Sequence, residues 1–432
     1  MEGTGSAGSG TAGRELKPLI GVLAAMAVSF TGTRVAAVAI PWFVLVTTGS
    51  AAHTGLVAFC QMAPLVVVKA LGGPVVDRVG PRVVSWTTDL VSSVAALAVP
   101  VLHAKDLLTL PVLLVLVALI GAARGPGDLA KEVMVPEAAD RGRIPMERAM
   151  AVSATTERLA STVGPAVGGV LVSLFGPMTV LLVNAACMAT GSVVVALALP
   201  RTVGRPAART AGTQGYWRSL REGLTFVRRD ALLLTVVLTV AVTNLLDAAF
   251  MSVLLPVWAR ESGHGPALLG LVMAVFSGAA VVGSVLAAVL AHRLDRRLVV
   301  LGGFALLGAP VRLVLLGDLP VPLVLAVFVV AGLGGGFINP VLGAVMVERV
   351  PREMLGRVNA LADSVAFAGI PFGGLLAGAA VGLAGAAPVL LVSAVLYFLA
   401  TTLAGLRPYW REMDRPGGPR APAGRLSPEQ AG

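Results

Sequence analysis

Residues 73–82 read Gly73-Pro74-Val75-Val76-Asp77-Arg78-Val79-Gly80-Pro81-Arg82, a short polar interruption between two long apolar runs, 54–72 and 83–103. Glycine at both ends of the interruption permits the tight reversal that carries a chain from one helix into the next. A carboxylate such as Asp77, held in that turn, can be latched by the positive end of another helix. Each flanking run has about the ~20 apolar residues that a helix needs to cross a hydrocarbon core. The stretch therefore reads as the tip of a membrane-embedded helical hairpin.

Working outward, the same alternation fills the chain. Its 432 residues are 56% hydrophobic and 13% charged, with a mean hydropathy of +0.87, which leaves no room for a soluble domain of ordinary composition. Apolar helices are expected over 16–46, 54–72, 83–103, 107–135, 146–175, 177–200, 231–258, 267–290, 298–317, 320–346, 355–382 and 385–407, an all-α membrane protein of twelve transmembrane helices. Residues 1–15 are Gly/Ser/Thr-rich and read as a disordered tail; the run that follows is too long for a signal-peptide core and reads as a retained first helix. Cys60 and Cys187 both fall inside helices, so no disulfide framework or thiolate metal site is expected.

The formal charge of +10 is distributed as topology signals rather than as a nucleic-acid-binding face. With the N-terminus in the cytoplasm, Arg78, Arg82, Arg141, Arg143, Arg148, the run Arg201 to Arg229, Arg293, Arg296, Arg297, Arg349, Arg352, Arg357 and the C-terminal tail all lie inside, against Lys105 and Arg260 outside. An error of one helix would scramble that split. Trp42 and Trp258 near outer helix ends, and Trp86, Trp217 and Trp410 near inner ones, suit interfacial anchoring. The longest polar interruption, 201–230, is expected to be a cytoplasmic linker ending in a basic amphipathic helix, and 408–432 a disordered cytoplasmic tail.

The two halves echo each other. Pro41-Trp42 matches Pro256-x-Trp258, Asp77-Arg78 matches Asp295-Arg296, Met134-Val135 matches Met346-Val347 and Gly168-Gly169 matches Gly373-Gly374, all about 205 to 218 residues apart. This order implies an internal duplication, with six-helix bundles at 16–200 and 231–407 related by pseudo-symmetry.

The turn Gly73, Asp77, Arg78, Gly80, Arg82 resembles the signature loop of the major facilitator superfamily. That resemblance implies the major facilitator fold with both termini cytoplasmic, and a gating latch between Asp77 and the start of helix 11, near Leu355. Gly164-Pro165-Ala166-Val167-Gly168-Gly169 in helix 5 resembles the core of the superfamily's antiporter motif, without its upstream glycines, as Ala160 shows. Small residues four apart let helices approach, and Pro165 lets the helix bend. Thr48-Gly49-Ser50, Arg124-Gly-Pro-Gly-Asp128, Leu224 to Asp230 and Arg349-Val-Pro, followed by Gly356-Arg357-Val358, extend the likeness to the branch of macrolide-efflux and siderophore exporters. The branch implies gradient-driven export of a small molecule rather than a particular cargo.

Charges inside the membrane cost at least a few kcal/mol each unless paired or wetted, so they mark candidate sites. Aligning the two Pro-Trp ends puts Asp247 of helix 7 within a turn of the depth of Arg34 of helix 1, and the pair is expected to bind cargo, carry the coupling proton or tie the halves together. Arg124 and Asp128 in helix 4 and Glu157 and Arg158 in helix 5 are expected to form one network, structural, gating or cargo-binding. Lys69, Asp89 and Asp363 are placed near cytoplasmic ends; Arg312 has no evident partner.

No phosphate loop, dinucleotide fingerprint or His-Glu-x-x-His pattern is present, and the four histidines fall at loops or helix ends. No cofactor or metal is expected, and no enzymatic activity. The leading expectation is a proton-coupled exporter of a small amphipathic or hydrophobic compound, a drug, antibiotic, siderophore or other secondary metabolite. It would work by alternating access as a monomer in the cytoplasmic (inner) membrane, with cargo, protons and lipid as partners and no nucleic acid. Metabolite uptake by the same fold and a non-transporting sensor or assembly factor are the alternatives.

Overall fold

The computed structural model describes residues 16–200, 213–290, 294–351 and 354–414. The expected tails at 1–15 and 415–432, the first part of the linker, and Arg293 and Arg352 lie outside the described residues.

The first half comprises α1 (Lys17–Thr48), α2 (Ala51–Leu71), the short α3 (Gly73–Val79), α4 (Pro81–His103), α5 (Leu110–Gly142) and α6 (Met146–Ala198). Then come α7 (Thr213–Arg229), α8 (Ala231–Ala249), a π-turn at Phe250–Leu254, α9 (Leu255–Glu261), α10 (Gly265–Leu290), α11 (Arg296–Leu307), α12 (Ala309–Leu313), α13 (Val321–Arg349), α14 (Leu355–Ala368), α15 (Ile370–Ala384), α16 (Ala386–Gly405) and a 3₁₀ turn at Pro408–Asp414. Among the described residues, 10 helical segments are long and apolar enough to cross a membrane. The chain is thus all-α and multi-pass, helices being the form in which a backbone crosses an apolar zone with its polar groups mostly paired. Large apolar side chains such as Leu174, Leu197 and Leu383 point outward, 69%, 81% and 91% exposed, as a lipid-facing surface requires.

The interruptions have local causes. Gly176, at φ 79°, turns the chain between the two parts of α6, where an L side chain would be strained. The expected ninth helix is broken at Gly308, whose missing side chain admits the ring of Tyr397. The expected eleventh is divided at Gly369, ahead of Pro371. The tip of the 73–82 hairpin is a helical turn, α3, closed by Gly80 at φ 95°.

Packing follows two sets of neighbours. In one, α1 and α4 pack on α6, and α2 and α4 on α5; in the other, α10 and α11 pack on α13, and α15 and α16 on α8. The sets meet along α2 with α15 and α6 with α10. Both meetings are backbone against backbone, toward the arginine-poor end. A methyl group on Gly55 would land on the carbonyl of Gly374, and one on Gly378 would come within 3.1 Å of Gly55 Cα. One on Gly169 would lie 2.8 Å from Gly270 Cα.

Residues 408–414 are not a disordered tail. Trp410 is wholly buried against Val300, Phe304 and Tyr397 rather than lying at an interface, and Asp414 accepts the backbone N–H of Arg297 at 3.0 Å. Trp258 likewise packs inside, stacked on His264 with ring centroids 5.7 Å apart. The linker's end forms α7, as expected, with Val227 buried among Leu233, Val358 and Leu361 and Glu222 paired with Arg357. Asp230 caps α8 through the N–H groups of Leu232 (3.0 Å) and Leu233 (3.1 Å) and also takes Arg349 Nε at 2.9 Å. Arg349 reaches on to Glu412 at 3.1 Å, so one guanidinium joins the starts and ends of three segments.

Candidate functional site

A cavity of about 430 Å³ lies between the two sets of helices, walled by α1, α2, α4, α5 and α6 on one side and by α8, the π-turn, α10, α14 and α15 on the other. Its surface is mostly apolar. Four methionines, Met62, Met188, Met251 and Met273, line it, and flexible thioethers fit bodies of varied shape. Its polar lining includes Arg34, Arg124, Gln61, Ser92, Asn184 and Ser252. No Asp or Glu is among the described residues that line it.

Glycine spacing places Arg34. Added side-chain carbon on Gly164 would strike Arg34 Cβ, and on Gly168 would lie 3.1 Å from Val35 Cα. These two glycines of the antiporter-like motif therefore seat α1 against α6, while Gly169 crosses to Gly270 and Pro165 offers its carbonyl there. The motif holds both the cavity wall and the joint between halves.

The expected pairing of Arg34 with Asp247 is not made. Arg34 Nη2 lies 3.7 Å from Glu157 Oε1, and Asp247 Oδ1 accepts Arg312 Nη2 at 2.8 Å. Equal depth does not fix direction: adjacent helical residues point about 100° apart, and it is Ala248, not Asp247, that lines the cavity. Arg312, the cation without an evident partner, is wholly buried. It donates to Ser393 Oγ at 3.0 Å and to the Gly308 carbonyl at 2.8 Å. Its guanidinium carbon lies 4.9 Å from the Phe250 ring centroid and 4.6 Å from that of Tyr397. The break at Gly308 and the π-turn at Phe250 are what bring these groups together.

The expected four-residue network is also redrawn. Arg124 pairs with Asp128 at 3.5 Å. Arg158 is exposed and makes no ion pair among the described residues, and Arg34 takes its place as the partner of Glu157. Asp89 is not a snorkelling end residue. It is 5% exposed, accepts Lys131 Nζ at 2.7 Å and Ser29 Oγ at 3.1 Å, and Gly191 leaves room for it. Lys131, wholly buried, was not singled out by the sequence.

Of the signature turn, Val76 is buried, Asp77 and Arg78 are exposed, and Arg82 donates to the Ala196 carbonyl, tying α4 to α6. Asp77 has no ion pair among the described residues, and Arg352, just ahead of α14, lies outside them. Nearby, Lys69 pairs with Glu132 at 3.8 Å and also lies within electrostatic reach of Asp363 on α14.

A major facilitator family model described as "Transmembrane secretion effector" matches residues 19–421. This chain belongs to that family. As a major facilitator protein it is a transporter and not an enzyme, and its cargo is a small molecule. It is 31% identical over 401 residues to "Multidrug efflux pump Tap" of Mycolicibacterium fortuitum, covering 92% of this chain and 97% of that one. The Tap pump of Mycobacterium tuberculosis (strain ATCC 25618 / H37Rv) is 32% identical over 401 residues, with 92% and 95% covered. Among solved structures, the nucleoside transporter NupG superposes with a TM-score of 0.72 at 14% identity, covering 91% of this facilitator and all of that chain, a likeness of fold.

Proposed function

We propose that this transporter is an exporter of small amphipathic compounds, driven by the proton gradient. It has twelve spans in two six-helix halves, 16–200 and 231–407, with both ends of the chain in the cytoplasm. The count follows if α6 is two spans across Gly176 and α11 with α12 is one broken span. The observation that carries the reading is a cavity walled by both halves and closed by glycines toward the arginine-poor end. Toward the arginine-rich end, Lys69, Glu132 and Glu157 keep 49%, 48% and 54% of their side chains accessible. With arginines cytoplasmic, the cavity communicates with the cell interior, where an exporter collects its cargo. Rocking the halves about it would then open the glycine joints. The relatives' printed names support export in preference to uptake or sensing.

Asp247 is assigned the coupling proton, acting on Arg312 rather than on Arg34. The test is efflux of a compound panel from a host stripped of its own pumps, with and without a collapsed proton gradient. Gradient-dependent efflux in the wild type, lost in Asp247→Asn at equal expression, is the expected result. Efflux that survives gradient collapse would overturn proton coupling, and accumulation in place of efflux would overturn direction.

A further inference from the structure

The buried and half-buried arginines of this protein differ in how much of their hydrogen-bonding capacity is used. Each of the three guanidinium nitrogens of Arg312 donates, to a hydroxyl, a carbonyl and a carboxylate, and the group lies against two rings. Arg34 has no hydrogen bond among the described residues; its nearest carboxylate, at 3.7 Å, is a weak contact, and its side chain is 41% accessible. Arg124 has one long bond of 3.5 Å to Asp128, and its Nε is buried without a partner. Both unsatisfied guanidiniums line the cavity, and they lie close enough to repel one another. Asp128 and Glu157, which offset their charge, are not on the cavity wall.

Two further groups in that wall have no partner among the described residues. Ser92 is 2% exposed, and its unsatisfied Oγ can donate to an anion; Asn184 is 5% exposed, and its unsatisfied Oδ1 accepts and so calls for a donor elsewhere on the cargo. A buried polar group without a partner costs free energy that a ligand can recover. Two cations with unused planar forks match an oxyanion. The surrounding methionines and aliphatic side chains exclude a small free anion as the natural occupant, because most of the wall would then face nothing it can pair with.

We infer that the cavity holds an oxyanion subsite formed by Arg34 and Arg124, with the Ser92 hydroxyl on the same wall, and that its cargo is an organic anion: an apolar body carrying one acidic group. This deepens the export reading and rests on it for the direction of movement, though not for binding. A cationic amphiphile would meet two guanidiniums on the cavity wall, with their carboxylates, Glu157 and Asp128, off that wall.

The test uses two fluorescent probes that share one aromatic frame, anilinonaphthalene sulfonate, which is anionic, and phenylnaphthylamine, which is neutral. Binding is titrated on the full chain in lipid nanodiscs, with empty discs subtracted. The sulfonate should bind at least about tenfold tighter than the neutral probe, the scale of one charge-assisted contact. Arg34→Gln and Arg124→Gln should each weaken it about tenfold while leaving the neutral probe within about twofold. Arg34→Lys should retain most of the preference. Glu157→Gln, which frees Arg34 and removes no cation, should tighten sulfonate binding about threefold, a gain that damaged folding does not produce. Equal affinity for the two probes, or sulfonate binding untouched by both Gln variants, overturns the subsite, as does binding of neither. Efflux separates the two readings. If the neutral probe is pumped but the sulfonate is not preferred, export stands and the subsite falls. If the sulfonate is preferred but neither probe is pumped, the subsite stands and export falls.

Discussion

Asp247→Ala and Arg312→Met remove opposite ends of one ion pair, and the structure makes their costs unequal. Without Asp247, a guanidinium that is 0% exposed keeps Ser393, the Gly308 carbonyl and two rings but loses its only carboxylate. An uncompensated buried charge of this kind costs about 3–5 kcal/mol. Without Arg312, Asp247 can take up a proton and become neutral, an escape that the guanidinium lacks, and its side chain is 32% accessible against 0% for Arg312. The loss there is one charged hydrogen bond and two ring contacts, about 1–3 kcal/mol. Asp247→Asn keeps an acceptor for Arg312 Nη2 but not the countercharge, and should cost about 2–3 kcal/mol, less than Asp247→Ala. The double variant Asp247→Leu/Arg312→Met leaves nothing unpaired and should return to within about 1 kcal/mol of wild type. Unfolding by sodium dodecyl sulfate in mixed micelles ranks all four. A double variant less stable than Asp247→Ala would refute the claim that the pair is held by compensation of charge, and Arg312→Met costing more than Asp247→Ala would refute the asymmetry.

Other outcomes follow from the same coordinates. A side chain at Gly378 meets the carbonyl of Ala51 and the α-carbon of Gly55, so Gly378→Val should raise the free energy of the arginine-poor closure by about 1–3 kcal/mol; faster labelling of a cysteine at residue 248 from outside the cell checks it, and unchanged labelling counts against the closure. Lys69 pairs with Glu132 and acts electrostatically on Asp363 of α14, so Lys69→Cys/Asp363→Cys should be joined by a long, reducible bis-thiol reagent, and that link should stop transport until it is reduced. Asp230→Ala removes the α8 cap and one partner of Arg349; a cost of about 1–2 kcal/mol is expected in the same micelle titration.

The spans, their charges and the glycine motifs were legible in the sequence because each is written locally, in runs of apolar residues or in small residues four apart. Contacts between helices were not. Asp247 and Arg34 share a depth, but depth along a helix says nothing of azimuth, and one residue separates a side chain in the cavity wall from one aimed at Arg312. Lys131 was missed for a different reason. Helix α5 was expected to end at residue 135 and runs to Gly142, about two turns further, so Lys131 lies well within the helix, where it meets Asp89 of α4. Trp410 follows the last apolar run in a Pro- and Arg-rich stretch, where local composition signals a tail and only tertiary contact with Phe304 and Tyr397 says otherwise.

Where α2 and α15 come closest, Gly55 lies on Gly374 and Gly378 with Ala51, Ala52 and Ala58 around them, and Phe59 packs on Phe372 to one side. The glycine crossing itself has no rotamers. A barrier built from long side chains leaks each time one of them flips, on a timescale far faster than that of domain motion. Glycine against glycine leaves only two conditions, helices together or helices apart, and the change between them must move whole segments. In a membrane, that distinction sets how much leaks across while the transporter is at rest.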